Sequence, residues 1–243
     1  RGVLIAQGSV RLKDFENKLN PEVALVSIIY ANNEIGTIQP IVKVSKIIKN
    51  SGLKALLHID ACQAAGYLDM NVNNLGVDLM THNGSKIYGP KGVGVLYKKR
   101  GITIQPLIYG GEQEQGLRAG TENLPAIAGL AKAVSLIDKK DGLKTLKFRD
   151  YFLNNIQKSL PDISINGPIG HNRLANNINI SIPDLDSENI LLELDKYGIY
   201  ASAGSACTAH SVEPSHVLKA IGLEKKYLKG ALIFMAARDI FKI

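Results

Sequence analysis

The chain has 243 residues, 45% hydrophobic and 21% charged, with no Trp and 6% aromatics. That balance excludes disorder, collagen and coiled coil, and its length is enough for one large domain or two ordinary ones. The charge of +7 comes from basic residues scattered along helical faces rather than from a basic stripe. This argues against a nucleic-acid partner. No apolar run approaches the roughly 20 residues of a bilayer span, so no membrane residence is expected. The first residue is Arg1, and the sequence after it lacks the order of a signal peptide, so a fragment of a longer product is expected.

In chain order, residues 23–30 form a continuous apolar run that ends in Ala31, Asn32, Asn33 and Glu34. Residues 53–59 form a second run, ending in Asp60. Both predict buried strands of a parallel sheet covered on two faces. Between them, Pro40 is placed to start a helix whose stripe is Ile41, Val44, Ile47 and Ile48, with Gly52 beyond its end. Residues 77–80 and 93–97 predict two more short strands around a Gly-rich turn. Residues 123–137 predict a helix that turns Ile127, Leu130, Val134 and Ile137 inward.

After Asp141 and Gly142 the pattern changes. A long amphipathic helix is expected over 143–160, followed by a strand in which Ile178, Ile180 and Ile182 alternate with polar residues and one face is solvated. Helices are expected over 187–197 and from near Pro214 to Gly222. The division is therefore a large α/β domain at 1–142 and a smaller α/β domain at 143–243.

Ligands of open parallel sheets bind at the carboxyl ends of strands, which singles out Asn33, Asp60, Gln63, Asn83, Ser85 and Lys86. An acid at one strand end and a lysine at another suit pyridoxal phosphate chemistry. The lysine would hold the cofactor as a Schiff base, and the acid would pair with its ring nitrogen. Either residue alone fits a structural or surface role as well. Around Lys86, residues 83–94 read NGSKIYGPKGVG, permissive backbone that suits close approach to a ligand; a plain hairpin turn with a solvent-facing lysine is the alternative. Thr121, in a second flexible loop, would donate to a phosphate or simply cap the next helix.

Residues 201–209 read ASAGSACTA, and Cys207 in that mobile-looking run suits a nucleophile rather than a packing residue. Cys62, beside Ala61 and Ala64, reads as packing next to a cofactor site. The two cysteines form no CxxC, and the five histidines show no paired ligand spacing, so neither a metal site nor a disulfide is expected. A reducing cytoplasm is the simplest home.

These stretches together resemble the cysteine desulfurases, pyridoxal phosphate enzymes of the class V aminotransferase superfamily that supply sulfur for iron–sulfur clusters. The resemblance is carried by residues 32–36 (NNEIG), 58–63 (HIDACQ), 84–94 (GSKIYGPKGVG), 118–123 (RAGTEN) and 203–208 (AGSACT), with Glu213 and Pro214 following. They occur in the family's order and span nearly the whole chain. The resemblance implies an α/β, fold-type I architecture with a mostly parallel, incomplete large-domain sheet, and a chain that lacks roughly the family's first third. It makes Lys86 the Schiff-base lysine, Asp60 the ring-nitrogen partner, and Asn33 and Gln63 contacts on the ring-hydroxyl side. Asn83, Ser85 and, from a neighbouring subunit, Thr121 would lie at the phosphate.

It further implies that Cys207 accepts sulfur from L-cysteine as a persulfide, in a homodimer that hands sulfur to an acceptor or iron–sulfur scaffold protein. Three positions depart from the family. Ser85 stands where His is common, Asn83 where Ala or a small hydroxyl residue is usual, and Ile233 where an Arg receives the substrate carboxylate; Arg238 matches a later family arginine. The alternatives are another class V enzyme, such as a selenocysteine lyase, and a scaffold of iron–sulfur assembly without turnover.

Overall fold

The structure is a computed structural model that describes residues 5–204 and 214–236. β1 (Ile5–Ala6) and β2 (Ser9–Val10) form a short hairpin that leads into α1 (Leu12–Lys18). The apolar runs then become β3 (Leu25–Ile29), β4 (Leu56–Asp60) and β5 (Leu79–Asn83), which pair in parallel. β6 (Gly94–Lys98) returns antiparallel to β5, giving the order β3-β4-β5-β6. In this register Ile29 lies beside Asp60, and Asp60 beside Thr81, so the carboxyl ends of three strands share one edge.

α2 (Ile41–Asn50) is N-capped by Pro40 and stops at Ser51, after which Gly52 takes a positive φ of 69°. Its buried Ile41, Val44 and Ile48 pack with Leu57, Ile59, Tyr30 and Met80 into the main core. α3 (Val72–Leu75) is capped by Asn71, which accepts from the backbone of Asn73 and Asn74.

The sheet is not covered on two faces as the apolar runs predicted. Leu57 and Ile59 are buried, but Leu25 is 51% exposed, Ser27 is exposed and His58 and Asp60 are half-buried. The open face is polar because a hydrogen-bonded row crosses it. Ser27 Oγ lies 2.8 Å from His58 Nδ1, and His58 Nε2 lies 3.3 Å from Thr81 Oγ1.

α4 (Leu124–Ser135) turns only part of the expected face inward: Leu130 is buried and Ile137 packs beside it. Ala126, Leu130 and Ala133 are buried, whereas Ile127 and Val134 are more than 40% exposed. The reason is close packing: a Cβ on Gly129 would meet Pro90 Cγ at 2.5 Å, so the inward face must be small. α5 (Lys139–Ser159) begins earlier than expected because Asp138 accepts from the backbone of Lys140, so the expected domain boundary at 142 falls inside its first turns.

Beyond α5 lies an antiparallel sheet of β7 (Ser164–Ile165), β8 (Asn177–Ser181) and β9 (Ala231–Met235), in the order β7-β8-β9. α6 (Ser187–Lys196) is capped by Asp186, and α7 (His216–Ala220) by Ser215; α8 (Lys225–Leu228) precedes β9. Ile178, Ile180 and Leu232 pack with Leu153 of α5 and Ile163. The expected solvated face of β8 is buried instead. Asn177 and Asn179 donate to the Glu34 carbonyl at 2.9 and 3.0 Å, so the turn after β3 is what covers them. No helix among the described residues is long and apolar enough to cross a membrane.

Candidate active site

Asp60 ends β4 and Asn83 ends β5, two residues beyond Thr81, which pairs with Asp60, so an acid and an amide stand at neighbouring strand ends on the sheet's carboxyl edge. Past Asp60 the chain turns sharply, and Asp60 Oδ1 accepts from the Cys62 backbone at 2.9 Å. Past Asn83, its Oδ1 accepts from Ser85 Oγ and from the Lys86 backbone, both at 3.2 Å. These bonds open a 3-10 turn over Ser85–Ile87, which Ile87 anchors by packing against Ala65, Leu130 and Ala133. Ser85 and Lys86 on the same turn stay exposed.

The half-buried Cys62 thiol reports on this gathering. Its pKa is pushed up to about 12, first by burial and then by its hydrogen bond to Asp60 and the charge of that carboxylate. The Lys86 ammonium and a hydrogen bond from the Asn83 backbone act in the opposite sense. The Asp60 carboxylate, the Asn83 backbone and the Lys86 charge thus all act on this one thiol.

The glycines of the Lys86 loop do something the sequence did not suggest. A Cβ on Gly84 would meet the Pro90 carbonyl at 2.9 Å, and one on Gly89 would meet the Gly84 carbonyl at 3.1 Å. Gly84 and Gly89 let the loop fold closely onto itself. The segment is at once a β5–β6 hairpin with an exposed lysine and a compact turn that fixes where the lysine emerges.

Asn33 is half-buried in the turn after β3, next to the strand that carries Asp60, and Gln63 is half-buried in the turn after β4. Thr121 is exposed, and no hydrogen bond ties it to the Lys86 loop among the described residues. Asn123, not Thr121, caps α4, through its bond from the Ala126 backbone. Cys207 and Arg238 lie outside the described residues. Ile233 is buried at the centre of β9, and its backbone pairs in both directions with Ser202.

A cavity of about 30 Å³ borders Lys86, Tyr67, Tyr88, Asp138 and Asp141, room for little more than a water. A larger one of about 820 Å³, bordered by Leu68, Met70, Leu146 and Arg173, contains none of the strand-end residues. Neither cavity is bordered by Asp60 or Asn83. The one residue that sequence reasoning undervalued is Cys62. An Asp followed two positions later by a residue at a strand-end turn is the signal that could have found it.

The sequence profile of the aminotransferase class-V family matches residues 3–232. This chain belongs to that family. It is 46% identical over 232 residues to cysteine desulfurase IscS of Dictyoglomus turgidum, across 94% of this chain and 58% of that protein. It is 44% identical over 236 residues to a cysteine desulfurase of Nostoc sp., across 96% of this chain and 58% of that protein. A solved NifS-like protein superposes with a TM-score of 0.88 at 33% identity, across 98% of this chain and 62% of its own. The α/β, fold-type I architecture implied by the sequence is the one this class V chain has. It spans about 58% of the length of the curated relatives it matches.

Proposed function

We propose that the protein to which this chain belongs is a pyridoxal phosphate-dependent cysteine desulfurase, which converts L-cysteine to L-alanine and leaves the sulfur as a persulfide on Cys207. The observation that carries this reading is the placement of Asp60 and Asn83 at the ends of neighbouring parallel strands, with Lys86 on the turn that follows Asn83, in a chain 46% identical to a cysteine desulfurase. Acid, amide, hydroxyl and amine form a donor set that fits the cofactor, and their open face leaves it room. When bound, pyridoxal phosphate supplies the electron sink that acidifies the substrate Cα–H and weakens its C–S bond.

The residues divide the remaining work. Asp60 holds the ring nitrogen in its protonated form, because an ionised carboxylate at the end of β4 favours the positive charge opposite it. Asn83 and Ser85 offer an amide and a hydroxyl to the phosphate, and Asn33 and Gln63 face the ring-hydroxyl side. Lys86 Nζ anchors the cofactor at rest and moves the substrate Cα proton as a base. The Cys207 thiolate attacks the substrate sulfur: the S–S bond forms as the C–S bond breaks, and the three-carbon remainder takes up a proton to leave as alanine. Thr121, exposed and apart from this cluster, suits a phosphate contact made to the second subunit of a homodimer. The persulfide would pass to an acceptor or iron–sulfur scaffold protein in the cytoplasm.

The test is to add pyridoxal phosphate to the purified chain, reduce with borohydride and map the adduct by mass spectrometry. An adduct on Lys86 that disappears in Lys86→Ala is expected; an adduct elsewhere, or none, overturns the assignment. A second reading, a scaffold without turnover, is favoured by Ile233, which puts a buried apolar side chain where the resemblance calls for an arginine. Alanine and a Cys207 persulfide, formed by the full-length parent supplied with cysteine, would exclude it.

A further inference from the structure

We propose that Glu34 is a positioning residue that ties the turn bearing Asn33 to β8 and to the cap of α7, and so fixes where the Asn33 amide stands; the inference rests on reading Asn33 as a contact on the cofactor's ring-hydroxyl side. Glu34 directly follows Asn33 and is only 2% exposed. Its backbone carbonyl accepts from Asn177 Nδ2 at 2.9 Å and from Asn179 Nδ2 at 3.0 Å, both on β8. Its Oε2 accepts from the Ser215 hydroxyl, and the same hydroxyl oxygen accepts from the Val217 and Leu218 backbones and caps α7. One buried residue thus receives three donors that lie 143, 145 and 181 positions later in the chain, none of them on the parallel sheet.

The rest of the turn is mounted in the same way. Asn32 Oδ1 accepts from the Glu34 and Ile35 backbones at 2.9 and 3.0 Å, and the Gly36 carbonyl accepts from the Leu174 backbone at 2.8 Å. Ile35 is fully buried against Leu218 of α7 and Ala231 of β9. Gly36, with a φ of 68°, lies so close to β8 that a Cβ there would meet Asn177 Oδ1 at 2.6 Å. Asn33 itself is only half-buried, but the residues on both sides of it are held. A polar group whose backbone is fixed beforehand loses less freedom when a ligand takes it up, so the distant elements make Asn33 a better contact without touching the cofactor. The identity of Glu34 matters for one of the three bonds: any residue offers a carbonyl to Asn177 and Asn179, but only a side chain with an oxygen at this reach accepts from Ser215, and a carboxylate is the strongest acceptor for it.

Pyridoxal phosphate affinity of the 243-residue chain, measured across a set of variants, tests this. Glu34→Ala should weaken it about fivefold or more, while Glu34→Gln, which keeps an oxygen for the Ser215 hydroxyl, should stay within about twofold of the parent. Asn33→Ala supplies the decisive background. There Glu34→Ala should cause no further loss, because a residue that acts through Asn33 has nothing left to position. The same loss in both backgrounds would make Glu34 a support of the fold alone and overturn the proposal. Ser215→Ala, which leaves Glu34 in place, carries the test if Glu34→Ala folds poorly: it should weaken affinity about threefold in the parent and not at all in Asn33→Ala. Unchanged affinity in the parent background would sink the positioning role. If the unsubstituted chain gives no Lys86 adduct, the functional reading has failed and takes the role of Glu34 with it; an adduct together with additive losses removes the positioning role and leaves that reading standing.

Discussion

Two polar clusters sit about the turns after β3 and β5, and they are built on opposite terms. Around β8 the polar groups are buried and mostly bonded internally, although Asn177 Oδ1, Asn176 Oδ1 and Arg173 Nε and Nη1 are buried without a hydrogen-bond partner among the described residues. Arg149 is fully buried and donates to the carbonyls of Gly170, Arg173 and Leu174 and to Asp150, while Asn166 bridges Asn179 and Ser181 at 2.8 Å each. At the carboxyl edge of the parallel sheet, Lys86 and Ser85 are exposed, and Asp60 and Asn83 are half-buried, with bonds only to their own turns. Buried polar groups that bond one another stabilise the fold and have little capacity left for a ligand. The half-open cluster keeps that capacity. Chemistry belongs to the second cluster and architecture to the first, although the first holds more charge out of water.

That contrast can be broken most directly by removing Arg149. Arg149→Ala removes the side-chain donor from the buried Arg173 and Leu174 carbonyls and from that of exposed Gly170, and should cost about 3 kcal/mol. For a chain of this size that is a fall of about 10 °C in Tm, read by circular dichroism. It should also relieve Arg173, whose pKa is depressed to about 10 by burial and by the neighbouring Arg149. Asn179→Ala comes next, at about 2 kcal/mol, because it strips partners from the Glu34 carbonyl and from Asn166. Asp60→Asn should cost under about 1 kcal/mol, since an amide still accepts from the Cys62 backbone, while it weakens cofactor binding. A loss of stability in Asp60→Asn equal to that in Arg149→Ala would erase the distinction between the two clusters.

The same contrast explains what the sequence could and could not tell. The strands were legible because apolar runs end in polar residues, and the helix ends because Pro40, Gly52 and Gly222 punctuate them. The acid and the lysine were legible because strand ends are where such folds bind ligands. Hidden from sequence was everything decided by distant packing. The polar face of β8 is buried by a turn 143–145 positions earlier in the chain, which no local periodicity encodes. The inward face of α4 is chosen by the fit of Gly129 against Pro90, which favours alanines over the Ile127 and Val134 that hydrophobicity would select.

The smallest expected effect separates the two clusters by pH. His82, on β5 just before Asn83, has its pKa lowered, chiefly because burial disfavours the charged ring. Below about pH 6.5 the unfolded chain takes up a proton that the folded chain still resists, so stability is lost as pH falls through that point. Cys62 acts at the other extreme. Its raised pKa gives a contribution that is intact below the ordinary thiol range and is lost as pH rises toward about 12. Both groups are half-exposed, so solvent screens them, and each should move Tm by only about 1–3 °C. His82→Gln should flatten the acid side of the Tm–pH curve and Cys62→Ser the alkaline side, with neither touching the other. An acid limb unchanged in His82→Gln would show that burial of this ring carries none of the acid sensitivity.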